Sequence, residues 1–156
     1  MRKLVWLLCL VLLFTGLAYA QESDAAEEEM DWVTWSLDEG ETMLTVRLAG
    51  NATTGFQWMV EIEPDGLVEV VEEEYIQDEV PEDAGFMAGV GGTSVFVISP
   101  ALTEEGSGGA VVLVFSYAQP WDEETEPAIQ LVIEVWVVED GTMQMEDVYQ
   151  MLPEGE

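Results

Sequence analysis

The sequence predicts an all-β domain: an immunoglobulin-like antiparallel β-sandwich of about seven to eight strands. Three observations predict it. Apolar residues recur at every second position in short runs, and Gly, Pro, Asp and Glu clusters separate those runs. Downstream of residue 31 no stretch carries the 3.6-residue apolar stripe of an amphipathic helix. The chain has one cysteine, Cys9, close to its start, so this sandwich must be held by its core and not by a disulfide.

The first element is a leader, not part of the fold. Arg2 and Lys3 precede the apolar run Leu4 to Leu17, and Ala18-Tyr19-Ala20 follows as a small-x-small cleavage site. Residues 1–20 are therefore expected to be removed on export, which predicts a secreted or extracytoplasmic protein. Cys9 lies inside the apolar run and lacks the small residues that precede a lipidated cysteine. Residues 21–31 are acidic with little to bury, and read as a tether.

Short β-type runs begin at Trp32 and define a domain over residues 32–140. Leu44, Val46 and Leu48 alternate with Met43, Thr45 and Arg47. Phe56, Trp58, Val60 and Ile62 alternate with Gln57, Glu61 and Glu63. Leu67 to Tyr75 is rich in Val and Glu, and Thr93 to Ser99 is a compact β-branched and aromatic run. Ala110 to Tyr117 is almost continuously apolar, as for a central strand. Ile129, Leu131, Ile133, Val135 and Val137 form a long period-two stripe. Residues 141–156 read as an acidic, Met-containing tail; whether it packs as a final short element is left open at this level.

Charge excludes several function classes. Of 156 residues 33 are Asp or Glu and three are Lys or Arg, a formal net charge of −30 with no histidine. Removing residues 1–20 leaves Arg47 as the only cationic side chain, and no Cys, His or Lys. Such a chain cannot neutralise phosphates, so nucleic acid is not an expected partner. Repulsion argues equally against an anionic membrane surface, and for a monomer at low salt. No Cys/His zinc site, His-activated nucleophile or Schiff-base lysine can be built. No cofactor or metal is expected. The spread of acids along the whole chain reads first as a solvated acidic shell, and second as steering toward a basic partner.

Three turn-like segments stand out between the strands. Asn51-Ala52-Thr53-Thr54-Gly55-Phe56 is an uncharged turn on a highly charged chain. Asn favours a turn by bonding its own backbone, Gly55 permits a positive φ, and Phe56 and Trp58 anchor the base. Such a loop is stiff, and a stiff loop loses little entropy on docking. Asn51-Ala52-Thr53 is also a glycosylation sequon, read here as incidental. Gly89-Val90-Gly91-Gly92 lets backbone approach another surface closely. It lacks the adjacent Lys or Arg and the following helix that a phosphate cradle needs. Gln119-Pro120-Trp121 places a tryptophan beside Asp122, Glu123 and Glu124, where exposure is expected; exposed Trp is a typical hot-spot residue. Strand order puts the three segments in connections two-three, four-five and six-seven, which should emerge at one end of the sandwich as a contiguous edge.

Taken together, the three segments resemble the loops of the chagasin family, secreted protein inhibitors of papain-like cysteine proteases. That family's pattern runs Asn-Pro-Thr-Thr-Gly-aromatic, Gly-x-Gly-Gly, Arg-Pro-Trp, in this order. The resemblance covers roughly Trp32 to Glu139. It implies a papain-like protease as partner and reversible, competitive inhibition by a wedge of three loops. Thr53 would then lie nearest the protease's catalytic cysteine, with Thr54 beside it. Gly89 to Gly92 would run along the non-primed side and Trp121 along the primed side. Ala52 stands where the family has Pro, removing one rigid torsion, and Gln119 stands where it has Arg, removing a charged donor.

Two other readings use the same residues. A noncatalytic secreted sandwich for interaction or adhesion would share the fold without inhibiting. A carboxylate hydrolase could draw on Glu72-Glu73-Glu74 and Asp122-Glu123-Glu124, but needs two carboxyls facing across a cleft, whereas acid runs are usually solvated faces. Glu139-Asp140-Gly141 and Glu63-Pro64-Asp65-Gly66 lack the regular spacing of a calcium loop. The expectation is therefore a binding protein and not an enzyme.

Overall fold

The computed structural model describes residues 30–80, 89–101, 108–122 and 125–151. Within them the chain forms eight strands: β1 (Val33–Leu37), β2 (Leu44–Gly50), β3 (Gln57–Glu63), β4 (Val68–Gln77), β5 (Gly92–Pro100), β6 (Gly109–Ala118), β7 (Ile129–Val137) and β8 (Met143–Met151). They make two antiparallel four-stranded sheets, ordered β1-β2-β5-β4 and β3-β6-β7-β8. The all-β sandwich expected from the period-two runs is the fold. Residues 1–20, read from sequence as a leader, nearly all of the expected tether, Glu123, Glu124 and residues 152–156 lie outside the described residues.

Alternation decides which face is buried. Leu44, Val46 and Leu48 of β2 point into the gap between the sheets, as do Phe96 and Ile98 of β5. From the other sheet come Leu113 and Phe115 of β6 and Leu131, Ile133 and Val135 of β7. Phe96 meets Phe115 edge-on at 5.3 Å between ring centroids, tying one sheet to the other. No polar side chain is buried among the described residues, so the core is apolar throughout.

The segment from residue 141, read from sequence as a tail, instead supplies β8. Met143 is fully buried and pairs with Val137, and pairing continues to Met151 opposite Gln130. The strand's alternation is broken by a bulge: Asp147 lies opposite Glu134 and Met145 opposite Val135, leaving Glu146 as the extra residue. The inward positions therefore change parity, from Met143 and Met145 to Val148 and Gln150. The domain extends to Met151.

Direction of travel fixes where the loops fall. The β2–β3 connection, the β4–β5 hairpin and the β6–β7 hairpin all leave the sandwich at one end. The β1–β2, β3–β4, β5–β6 and β7–β8 connections lie at the other.

Candidate functional site

The β2–β3 connection is a single 3-10 turn, Ala52–Thr54, capped at both ends by its own sequence. Asn51 is extended, and its side-chain Oδ1 accepts from Thr53 N at 3.1 Å and from Thr53 Oγ1 at 2.5 Å. Thr54 Oγ1 donates to Asn51 O at 2.6 Å. Gly55 closes the turn at φ 83°, a left-handed conformation that favours glycine, and its N–H reaches Ala52 O at 3.1 Å. Ala52, Thr53 and Thr54 are exposed and carry no charge.

Aromatic rings under this turn hold it in place. Trp58 Nε1 donates to Ala49 O at 3.0 Å, and its ring stacks on Trp32 at 5.5 Å with planes 7° apart. The Tyr117 ring lies 5.0 Å from Trp58 and 5.4 Å from Phe56. Its hydroxyl accepts from Asn51 N at 2.8 Å, so a residue of β6 fixes the first residue of the turn. Tyr75 of β4 adds a longer contact, its hydroxyl accepting from Ala52 N at 3.4 Å. Both backbone N–H groups that open the turn, Asn51 and Ala52, thus donate to tyrosine hydroxyls.

The other two connections converge on it. Asn51 Nδ2 donates to Gly89 O at 3.0 Å, which ties the β4–β5 loop to the turn and occupies the amide nitrogen of the sequon. A Cβ on Gly89 (φ +82°) would sit 3.8 Å from that Nδ2 and 4.0 Å from Thr53 Oγ1. Asp78 N closes the base of this loop on Gly91 O at 3.0 Å. Val90 and Gly91 are half-buried. Gly92 belongs to β5, is buried, and pairs with Gly50 and Gln77, so it is a sheet residue and not part of the loop tip.

On the far side, Gln119-Pro120-Trp121 turns at the end of β6, with Asp122 N donating to Gln119 O at 3.0 Å. Trp121 is 69% exposed, the most exposed of the large apolar side chains described. It leans over Gly55, and the half-buried Gln119 brings its Nε2 to 3.8 Å from a Cβ built on the same glycine. Thr53, Gly89 and Trp121 therefore belong to one edge of linked loops, as strand order required. Its exposed centre, Ala52 to Thr54, is neutral on a chain of net charge −30.

The supports Tyr117, Tyr75 and Trp32 were not singled out from sequence. The signal for the two tyrosines is positional: Tyr75 and Tyr117 each stand near the end of a strand that feeds one of the three loops. Elsewhere, Asp38 and Asp140 organise turns at the opposite end. Hydrogen bonds, above all from Met43 N to Asp38 and from Thr142 N to Asp140, hold both carboxyls below their ordinary range. Burial, with the Glu134 carboxylate behind it, pushes the Tyr149 hydroxyl up. No group of three metal-ligating side chains occurs among the described residues.

The family model for the chagasin family of peptidase inhibitors matches residues 36–135, more than half of the chain. Among solved structures the chain is similar to the cysteine protease inhibitor EhICP2 from Entamoeba histolytica. The match has 21% identity and a TM-score of 0.47, and covers 59% of this chain and 75% of that one. No curated protein sequence matches it.

Proposed function

The chain belongs to the chagasin family of peptidase inhibitors, and on that premise we propose that it is an exported, reversible, competitive inhibitor of papain-like cysteine proteases. The observation that carries the proposal is the single edge made by the three loops, neutral at its centre and braced from beneath. Thr53 and Thr54 at its centre enter the active-site cleft. Gly89 to Gly91 lie along one side as a backbone surface, and Trp121 packs on the other. An interface of the usual size, about 1,600 Å² in total, suits such an edge.

Blocking needs no reaction on the inhibitor's side. The turn offers the protease two threonine side chains and a 3-10 backbone, not an extended scissile peptide. The hydrogen bonds that fix Asn51 and Thr54 also prevent the turn from opening into the strand a protease would cleave. Much of the ordering cost is met before docking, because the loop is already capped and bonded to Tyr117. Gln119, half-buried beside Gly55, supplies a neutral donor where the family has a charged one. The protein is expected to act alone, as a monomer kept apart from its copies by like charge, with neither nucleic acid nor anionic membrane as partner.

The test is steady-state inhibition of papain and of a cathepsin-L-like enzyme at several substrate concentrations, at low and high salt. A rise in apparent KM at constant kcat, with the inhibitor recovered uncleaved, is the expected result. Unchanged kinetics with a folded protein at both salt concentrations would overturn the proposal.

A further inference from the structure

Behind the Asn51 turn the two sheets do not close. Here the inner face of the first sheet carries Gly50 of β2 and, from β5, Gly92 and Ser94; the two glycines pair directly. Tyr75 of β4 covers Gly92 and the Tyr117 ring of β6 closes on Gly50, and beside these rings, near Ser94, a gap remains between the sheets. The result is a cleft of about 320 Å³ that opens between β3 and β4, the edge strands of their sheets. Phe56, Trp58, Tyr75 and Tyr117 line it.

Glu73 faces this aromatic box for a specific reason. In β4, Val70 lies opposite Ile98 and Glu72 opposite Val97, so Val71 is an extra, bulged residue. The bulge reverses the strand's alternation. Glu73 then falls opposite the inward-facing Phe96, and Tyr75 opposite Ser94. Without it Glu72, Glu74 and Ile76 would face inward. Both Glu73 and Glu74 line the cleft, and Glu73 does so from the core side of its strand.

We propose that this cleft is a binding site for a small organic ammonium ion, lying behind the loop edge and sharing Asn51, Ala52 and Phe56 with it. Aromatic side chains beside a carboxylate are the chemistry that holds an alkylated ammonium: the rings attract the cation, and the carboxylate balances its charge. The volume suits a small molecule. A chain of net charge −30 concentrates cations near its surface before any specific contact forms. A bound cation would touch Asn51 and Ala52 from behind, so occupancy reaches the turn that Tyr75 and Tyr117 brace.

The test is choline titrated into the protein at fixed high ionic strength, read by amide and indole NMR shifts. The comparison ligand is 3,3-dimethylbutan-1-ol, its uncharged isostere. Expected are saturable shifts at Tyr75, Ser94 and the Trp58 indole. The isostere should bind about tenfold more weakly, and Glu73→Gln should weaken choline by a similar factor. Nα-acetyl-lysine amide forms a further arm: tighter binding than choline assigns the site to a lysine side chain of a partner, weaker binding to a free ammonium ion. Equal binding of choline and its isostere overturns the proposal, as do non-saturating shifts over the whole surface. No protease is present, so the outcome is independent of the inhibitor reading.

Discussion

Trp121 lies directly across Gly55: a Cβ built on Gly55 would stand 2.5 Å from Trp121 Cη2 and 3.0 Å from Cζ2. The β6–β7 loop therefore rests its exposed indole on the one residue of the β2–β3 turn that has no side chain. The same residue needs a left-handed φ of 83°. One glycine serves both the closure of its own turn and the seating of its neighbour.

Gly55→Ala should accordingly do two things. A left-handed alanine costs about 1–2 kcal/mol in urea unfolding, and the displaced indole weakens inhibition by more than that. Trp121→Ala separates the effects. Stability should stay within about 0.5 kcal/mol of the parent, while inhibition of papain weakens by about 2 kcal/mol, or some thirtyfold. Equal inhibition by parent and Trp121→Ala would remove the indole from the contact surface.

Asn51 carries two separable bonds. Its Oδ1 caps the turn at Thr53, and its Nδ2 holds Gly89 O. Asn51→Asp keeps the cap and sets two acceptors against each other at Gly89; Asn51→Ala loses both. Amide exchange near Gly89 should rise in both variants, but at Thr53 only in the alanine variant, which also loses about 1 kcal/mol of stability. Identical exchange in the two variants would contradict the division of roles.

Ala52 offers a gain instead of a loss. It is the first residue of the 3-10 turn, a position whose backbone suits proline. Ala52→Pro gives up only the 3.4 Å contact to the Tyr75 hydroxyl. It should stabilise the fold by about 0.5–1 kcal/mol through the unfolded state and tighten inhibition by a comparable amount. A lower urea midpoint would show that the Tyr75 contact matters more than the fixed torsion.

Asp38 governs acid behaviour at the other end. Its carboxylate accepts from Thr42 N at 2.6 Å and Met43 N at 3.0 Å, and its folded pKa lies below the ordinary 3.8. A depressed folded pKa means the carboxylate stabilises above the unfolded value, and that this contribution disappears as pH falls through the folded one. Asp38→Ala should therefore be less stable than the parent at pH 7, with the gap narrowing below about pH 3.8. Thermal melts of the pair from pH 7 to pH 2.5 read this directly; a gap constant with pH would contradict it.

The fold was legible because β2 and β3 alternate in burial as their sequences suggest, the continuously apolar β6 is central in its sheet, and β7 turns its period-two stripe inward, with Val132 of its other face buried as well. The three loops were legible too, since Asn51, Gly55, Pro120 and Trp121 each carry a strong local preference. Two things were hidden, and both by bulges. Glu146 interrupts the alternation of β8, so a strand with a fully buried Met143 reads as a charged tail. Val71 does the same in β4 and conceals that Glu73 and Tyr75 face inward. A bulge has no composition of its own, and only the partner strand's register exposes it. Tyr117's bond to Asn51, 66 positions away, is likewise a product of tertiary structure.

Three loops, and not a face of the sandwich, are expected to meet the protease. Hydrogen exchange of the protein with and without papain tests it most directly. New protection is expected only at residues 51–56, 89–91 and 119–121, with β1 and β8 unchanged. Protection spread along the β1 or β8 edge, with the three loops exchanging as in the free protein, would contradict it.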